Sequence, residues 1–146
     1  MTAPRSVRFD AATETRLLSF VARRPGLSRS SAAALLVEEG LRMDAHPGVV
    51  FRDGPAGRRA VLVGGPDVWE VVRAIRLAKL SEPELGGDDL LALVSDSTGL
   101  RAEFAHMAVA YYSDYPEEVD ALIEEADRAE AEVELAVARR HELLGA

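Results

Sequence analysis

The sequence predicts a mainly α fold with short β elements, and three observations carry that expectation. Apolar residues recur at helical spacing in most segments between Gly- and Pro-marked breaks. Strand-like alternation is confined to three short runs, Ser6–Phe9, Val49–Phe51 and Ala60–Val63. The last thirty residues are dominated by Glu and Ala with a narrow apolar stripe, the pattern of one long helix.

In Ser6-Val7-Arg8-Phe9 successive side chains point to opposite faces, so Val7 and Phe9 share one side while Ser6 and Arg8 share the other. A strand of four residues has too little apolar face to stand alone, and the neighbouring sequence is helical. Its simplest partner is the same strand of a second copy, so a homodimer is expected. Asp10 is placed to cap a first helix carrying Leu17, Leu18 and Val21, which Pro25-Gly26 ends. Ser28 caps a second, whose apolar face is marked by Ala32, Ala33, Leu36, Val37, Gly40 and Leu41.

The next segment opens with the breaker Asp44-Ala45-His46-Pro47-Gly48. A hairpin is expected from Val49–Phe51 and Ala60–Val63 around Asp53-Gly54-Pro55-Ala56-Gly57. A helix follows from Asp67 to about Lys79 with Val68, Val71, Val72, Ile75 and Ala78 inward. Trp69 sits beside that face, as a partly buried core indole or a partner contact. Gly64-Gly65-Pro66 lacks the following Lys-Ser or Lys-Thr pair of a phosphate loop, so nucleotide binding is not expected. Two further helices, from Asp88 or Asp89 to Ser97 and from Leu100 to Tyr112, meet at a Gly-containing turn in a helix-turn-helix pattern. Tyr111, Tyr112 and Tyr115 read equally as core packing or as a partner surface. From Pro116 a helix runs to about Leu144, with Val119, Leu122, Ile123, Ala126, Val133 and Val137 in its stripe and Arg139-Arg140-His141 near its end. The domains are therefore expected at 1–43, 44–115 and 116–146.

Charge is divided unevenly along the chain. Residues 1–43 carry seven Arg against four acids, a net of +3; residues 44–80 net +2; residues 81–146 carry four Arg against seventeen acids, a net of −13. A phosphate-facing front and an acidic back suggest different partners for the two ends. Sixteen Arg against one Lys, with abundant Ala, Gly and Val, point to a bacterium with a GC-rich genome. The chain has no cysteine, which excludes disulfides, thiolate zinc sites and thiol nucleophiles. His46, His106 and His141 lack paired metal-ligand spacing, and no serine has an evident base and orienting acid near it. An enzyme, a metal and a cofactor are therefore not expected. No run of about eighteen apolar residues suggests a membrane span, and no signal-peptide pattern opens the sequence, so a cytoplasmic location is expected.

Strand, helix, tight turn and helix in this order resemble the ribbon-helix-helix family of bacterial DNA-binding proteins, of the Arc, MetJ and CopG kind. The likeness rests on Ser6-Val7-Arg8-Phe9, on Gly26-Leu27-Ser28-Arg29-Ser30 and on the apolar spacing of the second helix. It implies that two chains pair their strands antiparallel and lay the ribbon in the DNA major groove. Ser6 and Arg8 would face bases, the Arg fork matching the two acceptors of guanine. Ser28, Arg29 and Ser30 at the start of the second helix would clamp a phosphate. Arg5 departs from the family pattern, since an inward apolar residue often occupies its place.

The remainder resembles a small winged-helix-like domain of VapB-like antitoxins. That likeness lies in Gly65-Pro66-Asp67-Val68-Trp69-Glu70-Val71-Val72, in Gly99-Leu100, and in Ala108 to Tyr112 followed by Tyr115 to Asp120. The family's Gly-Thr-Arg run after the first strand is only loosely replaced by Gly57-Arg58-Arg59. Together the two likenesses imply a dimeric repressor that binds its own promoter as double-stranded DNA and serves as an antitoxin. Its partner would be a toxin, a PIN-type ribonuclease, held through Leu122, Ile123, Ala126, Val133, Val137, Arg139 and Arg140. The competing expectation is an interaction or assembly module whose N-terminal ribbon serves dimerisation alone.

Overall fold

In the computed structural model, which describes residues 3–145, the chain forms two compact units, residues 1–45 and residues 46–146. The protein is mainly helical, and the one sheet among the described residues is a two-stranded antiparallel hairpin. The three-part division expected from sequence becomes two, because the start of the long C-terminal helix belongs to the core of the second unit.

The first unit holds helices α1 (Ala11–Ala22) and α2 (Arg29–Ala45). Asp10 caps α1, its Oδ1 accepting from the Thr13 N–H at 2.6 Å. That hydrogen bond favours the carboxylate and holds the Asp10 carboxyl below the ordinary aspartate value. Gly26, with φ 87°, makes the turn a side chain would strain. Ser28 then caps α2, its Oγ accepting from the Ser31 N–H at 3.1 Å. Residues 3–10 form no regular element, so the strand expected at Ser6–Phe9 is absent from the single chain. The physical reason is the one that demanded a partner: an isolated strand has no ladder to join.

The expected apolar face of α2 is also only partly covered. Ala32 is fully buried and Ala33 and Leu36 half-buried, yet Val37 is 57% and Leu41 63% exposed. Among the described residues of this unit, Leu17 and Ala32 are the only apolar ones in the buried core. A unit this small with so little buried apolar surface is marginal by itself and gains from a second surface.

The second unit opens on β1 (Val49–Gly54) and β2 (Gly57–Leu62), paired from Val49 opposite Leu62 to Gly54 opposite Gly57. Four helices follow: α3 (Val68–Ser81), α4 (Gly87–Thr98), α5 (Ala102–Asp114) and α6 (Pro116–Leu144). The core joins Val49, Ala60 and Leu62 of the hairpin to Val68, Val71 and Val72 of α3 and to Phe104, Ala105, Ala108 and Tyr111 of α5. Val119 and Ile123 of α6 complete it. Gly65 permits this packing, since a Cβ there would stand 2.8 Å from the Phe104 ring. Gly99, at φ 70°, closes α4, and the extended backbone at Arg101 delays α5 to Ala102 rather than Leu100.

Of the two readings of the tyrosines, the core one holds for Tyr111. Its ring is fully buried against Tyr115 and Phe51, and its hydroxyl donates to Glu118 Oε2 at 2.7 Å. Trp69 likewise packs on the core, half-buried, and its indole N–H donates to Asp67 Oδ2 at 3.1 Å. No helix among the described residues is long and apolar enough to cross a membrane.

Candidate nucleic-acid and partner interfaces

In the first unit the extended segment before α1 places Ser6 and Arg8 in solvent, together with Val7, which is 70% exposed. Phe9 alone turns inward. It lines a groove of about 400 Å³ with Leu17, Phe20, Leu36 and Val37, and Arg16 and Arg23 stand on its rim. An adjoining groove of about 610 Å³ is lined by Ser6 and Val7 on one side and by Arg29, Ser30 and Val37 on the other. Ser6, expected to read bases, thus comes together with Arg29 and Ser30, expected to hold phosphate. Arg8 and Ser28 do not line either groove.

The start of α2 is less open than its sequence implies. The Ser28 hydroxyl serves as the cap and donates to Ser31 Oγ at 2.9 Å. The Arg29 guanidinium pairs with Glu14 at 2.5 Å, although its side chain stays 59% exposed. A phosphate arriving here would compete with Glu14 for that cation and with the Ser28 side chain for the Ser31 N–H, leaving the positive end of the helix dipole as the unspent attraction.

Helices α4 and α5 of the second unit, where the sequence suggests a helix-turn-helix, offer a poorer nucleic-acid surface. Arg101 pairs with Glu103, and its guanidinium stands 5.1 Å from the centre of the Phe104 ring. His106 approaches Asp88 at 3.9 Å, and Asp88 and Asp89 occupy the first turn of α4. Carboxylates at these positions repel phosphate.

Helix α6 divides into two halves with different environments. Up to Glu130 it is part of the fold. Ile123, expected from sequence to meet a partner, is 4% exposed and belongs to the core, so it is not available to one; Leu122 and Ala126 are half-buried. The physical reason is that α3 and α5 present an apolar face there, and the first two turns of the stripe close on it. Beyond that point every residue from 131 to 145 is exposed. Val133 and Val137 are 64% and 45% exposed, and Arg139 and Arg140 are exposed beside them.

Two ion-pair clusters bind α6 to α3. Arg73 hydrogen-bonds Glu130 and pairs with Asp127 at 2.8 Å; Arg76 hydrogen-bonds Asp120 and donates to the Tyr112 hydroxyl at 2.9 Å. The Glu130 and Asp120 hydrogen bonds, respectively, raise the two guanidinium pKa values further. Part of the acid that the sequence assigns to a partner-facing back is therefore used inside the chain. The signal was present as two arginines three residues apart in the middle of α3, but only the packing supplies their partners. A second unforeseen contact is His46, whose Nε2 lies 2.8 Å from Asp114 Oδ2 and whose ring meets Tyr111 edge-on at 5.3 Å. It ties the start of the second unit to the end of α5.

Comparison with protein-family models, with curated proteins and with solved structures finds no match for this chain.

Proposed function

We propose that the chain is a dimeric, sequence-specific DNA-binding repressor acting on its own promoter, and an antitoxin that holds a toxin through its C-terminal part. The observation that carries the DNA reading is the state of the first unit. An exposed Ser6-Val7-Arg8 segment borders an open apolar groove under Phe9, in a unit whose described residues place only Leu17 and Ala32 in the buried apolar core. A second copy pairing its segment with this one would cover Val7, Val37 and the groove, and would set Arg8 and its twin side by side on the outer face. Seven arginines against four acids in residues 1–43 favour a phosphate-rich partner for that face.

The toxin reading rests on the resemblance and on the exposed half of α6. A PIN-type ribonuclease could be covered by the acidic helix at a basic RNA-binding surface, or entered at its acidic metal site by Arg139 and Arg140. Inhibition of such a nuclease by the full-length chain, lost on Val133→Glu with Val137→Glu, is the expected result; no inhibition by wild type would dispose of this half.

For the DNA half, labelled duplex from upstream of the gene is titrated with wild type and with Val37→Glu. Wild type should prefer that duplex over a scrambled one and the variant should lose the preference with its dimer. Wild type binding both alike would favour the second reading, an assembly module whose N-terminal segment only dimerises. One observation supports that alternative: Ser28 and Arg29 are already engaged with Ser31 and Glu14.

A further inference from the structure

We propose that the exposed half of α6 pairs antiparallel with the same segment of a second copy, forming an interface separate from the N-terminal unit. The inference does not depend on DNA binding or on a toxin. Its starting point is a helix that leaves its own fold. From residue 131 onward α6 has no buried residue, yet it carries Val133, Val137 and Leu144, which are 64%, 45% and 66% exposed. These three lie on one face. With Ile123, Ala126, Glu130 and Arg140 they continue a seam at alternating spacings of three and four, the repeat of paired helices. The first part of that seam is closed by α3 and α5, and the rest projects for about 20 Å at 1.5 Å per residue. A short projecting helix with an uncovered apolar stripe gains most of its stability from a second surface.

The charges identify that surface. Glu130 and Arg140 both fall within the seam, ten residues apart. In a parallel pair each would meet its own copy, acid against acid and cation against cation. In an antiparallel pair centred near Leu135, Glu130 lies opposite the partner's Arg140 and Val133 opposite the partner's Val137. One register therefore satisfies the apolar and the charged positions together. At its centre two residues flank the seam and face their own copies: Ala136 on one side, small enough for close approach of the two helices, and Glu134 on the other, an exposed side chain free to turn toward solvent.

Glu130 is suited to a second cation. It shares the single Arg73 guanidinium with Asp127, so two carboxylates face one positive charge. Among the described residues neither Arg139 nor Arg140 has an acidic partner within the chain. The helix dipole explains why acids precede cations along α6. It does not explain why one of each stands in the apolar seam at positions a two-fold axis exchanges. The overlap ends where the fold of each copy begins, since the half of α6 up to Glu130 is packed on α3 and α5. A foreign protein at Val133 and Val137 would have to displace this pairing, which would make capture of a partner depend on the concentration of the chain itself.

The absence of native cysteine allows a direct test in the full-length protein. Val133→Cys is mixed with heavy-isotope-labelled Val137→Cys under mild oxidation, and the linked peptides are read by mass spectrometry. The expected product is the 133–137 disulfide between copies, dominating over 133–133 and 137–137. It should be lost when Arg140→Glu is added and kept with Arg140→Lys, while circular dichroism shows all variants folded. Predominance of the symmetric disulfides would overturn the antiparallel register. Linkage no greater than that of Leu135→Cys, on the opposite side of the helix, would overturn the pairing altogether. Failure of the chain to bind DNA changes none of these outcomes.

Discussion

Replacing Arg8 by Ala separates reading from folding more cleanly than any other substitution in the chain. Arg8 lies exposed in the segment before α1, outside both grooves and outside any helix or strand. Its removal therefore creates no cavity and strands no buried group, and the unfolding free energy should stay within about 0.5 kcal/mol of wild type. If the guanidinium spans two acceptors of a guanine, its loss should cost roughly 1–3 kcal/mol of discrimination between the cognate and a mismatched duplex. In affinity that is a ratio falling by about fivefold to 150-fold. The assay is fluorescence anisotropy of labelled upstream DNA, run at two salt concentrations with cognate and scrambled duplexes, beside a urea titration of each protein. A contact to phosphate behaves differently: affinity falls alike on all sequences, and the slope of log K against log salt changes by about one. That outcome would refute base reading by Arg8 while leaving DNA binding in place. Equal binding by wild type and variant, on cognate and scrambled DNA alike, would refute the DNA-reading role of the segment and leave it as a dimerisation device.

Three further outcomes are expected. Ile123→Ala should lower the stability of the second unit by about 2–5 kcal/mol, because its side chain is core and not a free contact; an unchanged urea midpoint would contradict its burial. Arg73→Ala together with Arg76→Ala should speed amide hydrogen exchange over residues 120–130, and 1 M salt should do part of the same to wild type, since these are partly exposed ion pairs. The Asp10 cap gives a pH dependence of definite sign. Its folded pKa lies below the ordinary 3.8, so the cap contributes fully above that value and its contribution is lost as pH falls through the lower folded one. Helicity of wild type measured through that range should fall by more than that of Asp10→Asn, and identical curves would show that the Thr13 hydrogen bond contributes nothing.

The helices were legible because their signals are local. Asp10, Ser28, Pro25-Gly26, Gly99 and Pro116 mark starts and stops by backbone chemistry that needs no distant partner, and α3 and α6 lie where periodicity places them. The hairpin was legible for a similar reason, since β1 and β2 are joined by a tight Gly-bounded turn. The segment Ser6–Phe9 has no such local determinant. Its alternation suggests a strand, but a strand exists only through its ladder, and a single chain supplies none here.

What the sequence determined by itself was therefore the order and limits of most helices, the basic front, the acidic back and the absence of thiol chemistry. The tertiary structure decided which parts of each amphipathic face are covered. Tyr111 and Ile123 are core because residues of the hairpin and of neighbouring helices close over them, whereas Val37, Val133 and Val137, equally apolar and equally periodic, remain in solvent. It also decided that Asp120, Asp127 and Glu130 serve Arg76 and Arg73 within the chain. Periodicity states that a face wants burial; only the packing of distant segments settles where that burial is supplied and where it is left for another molecule.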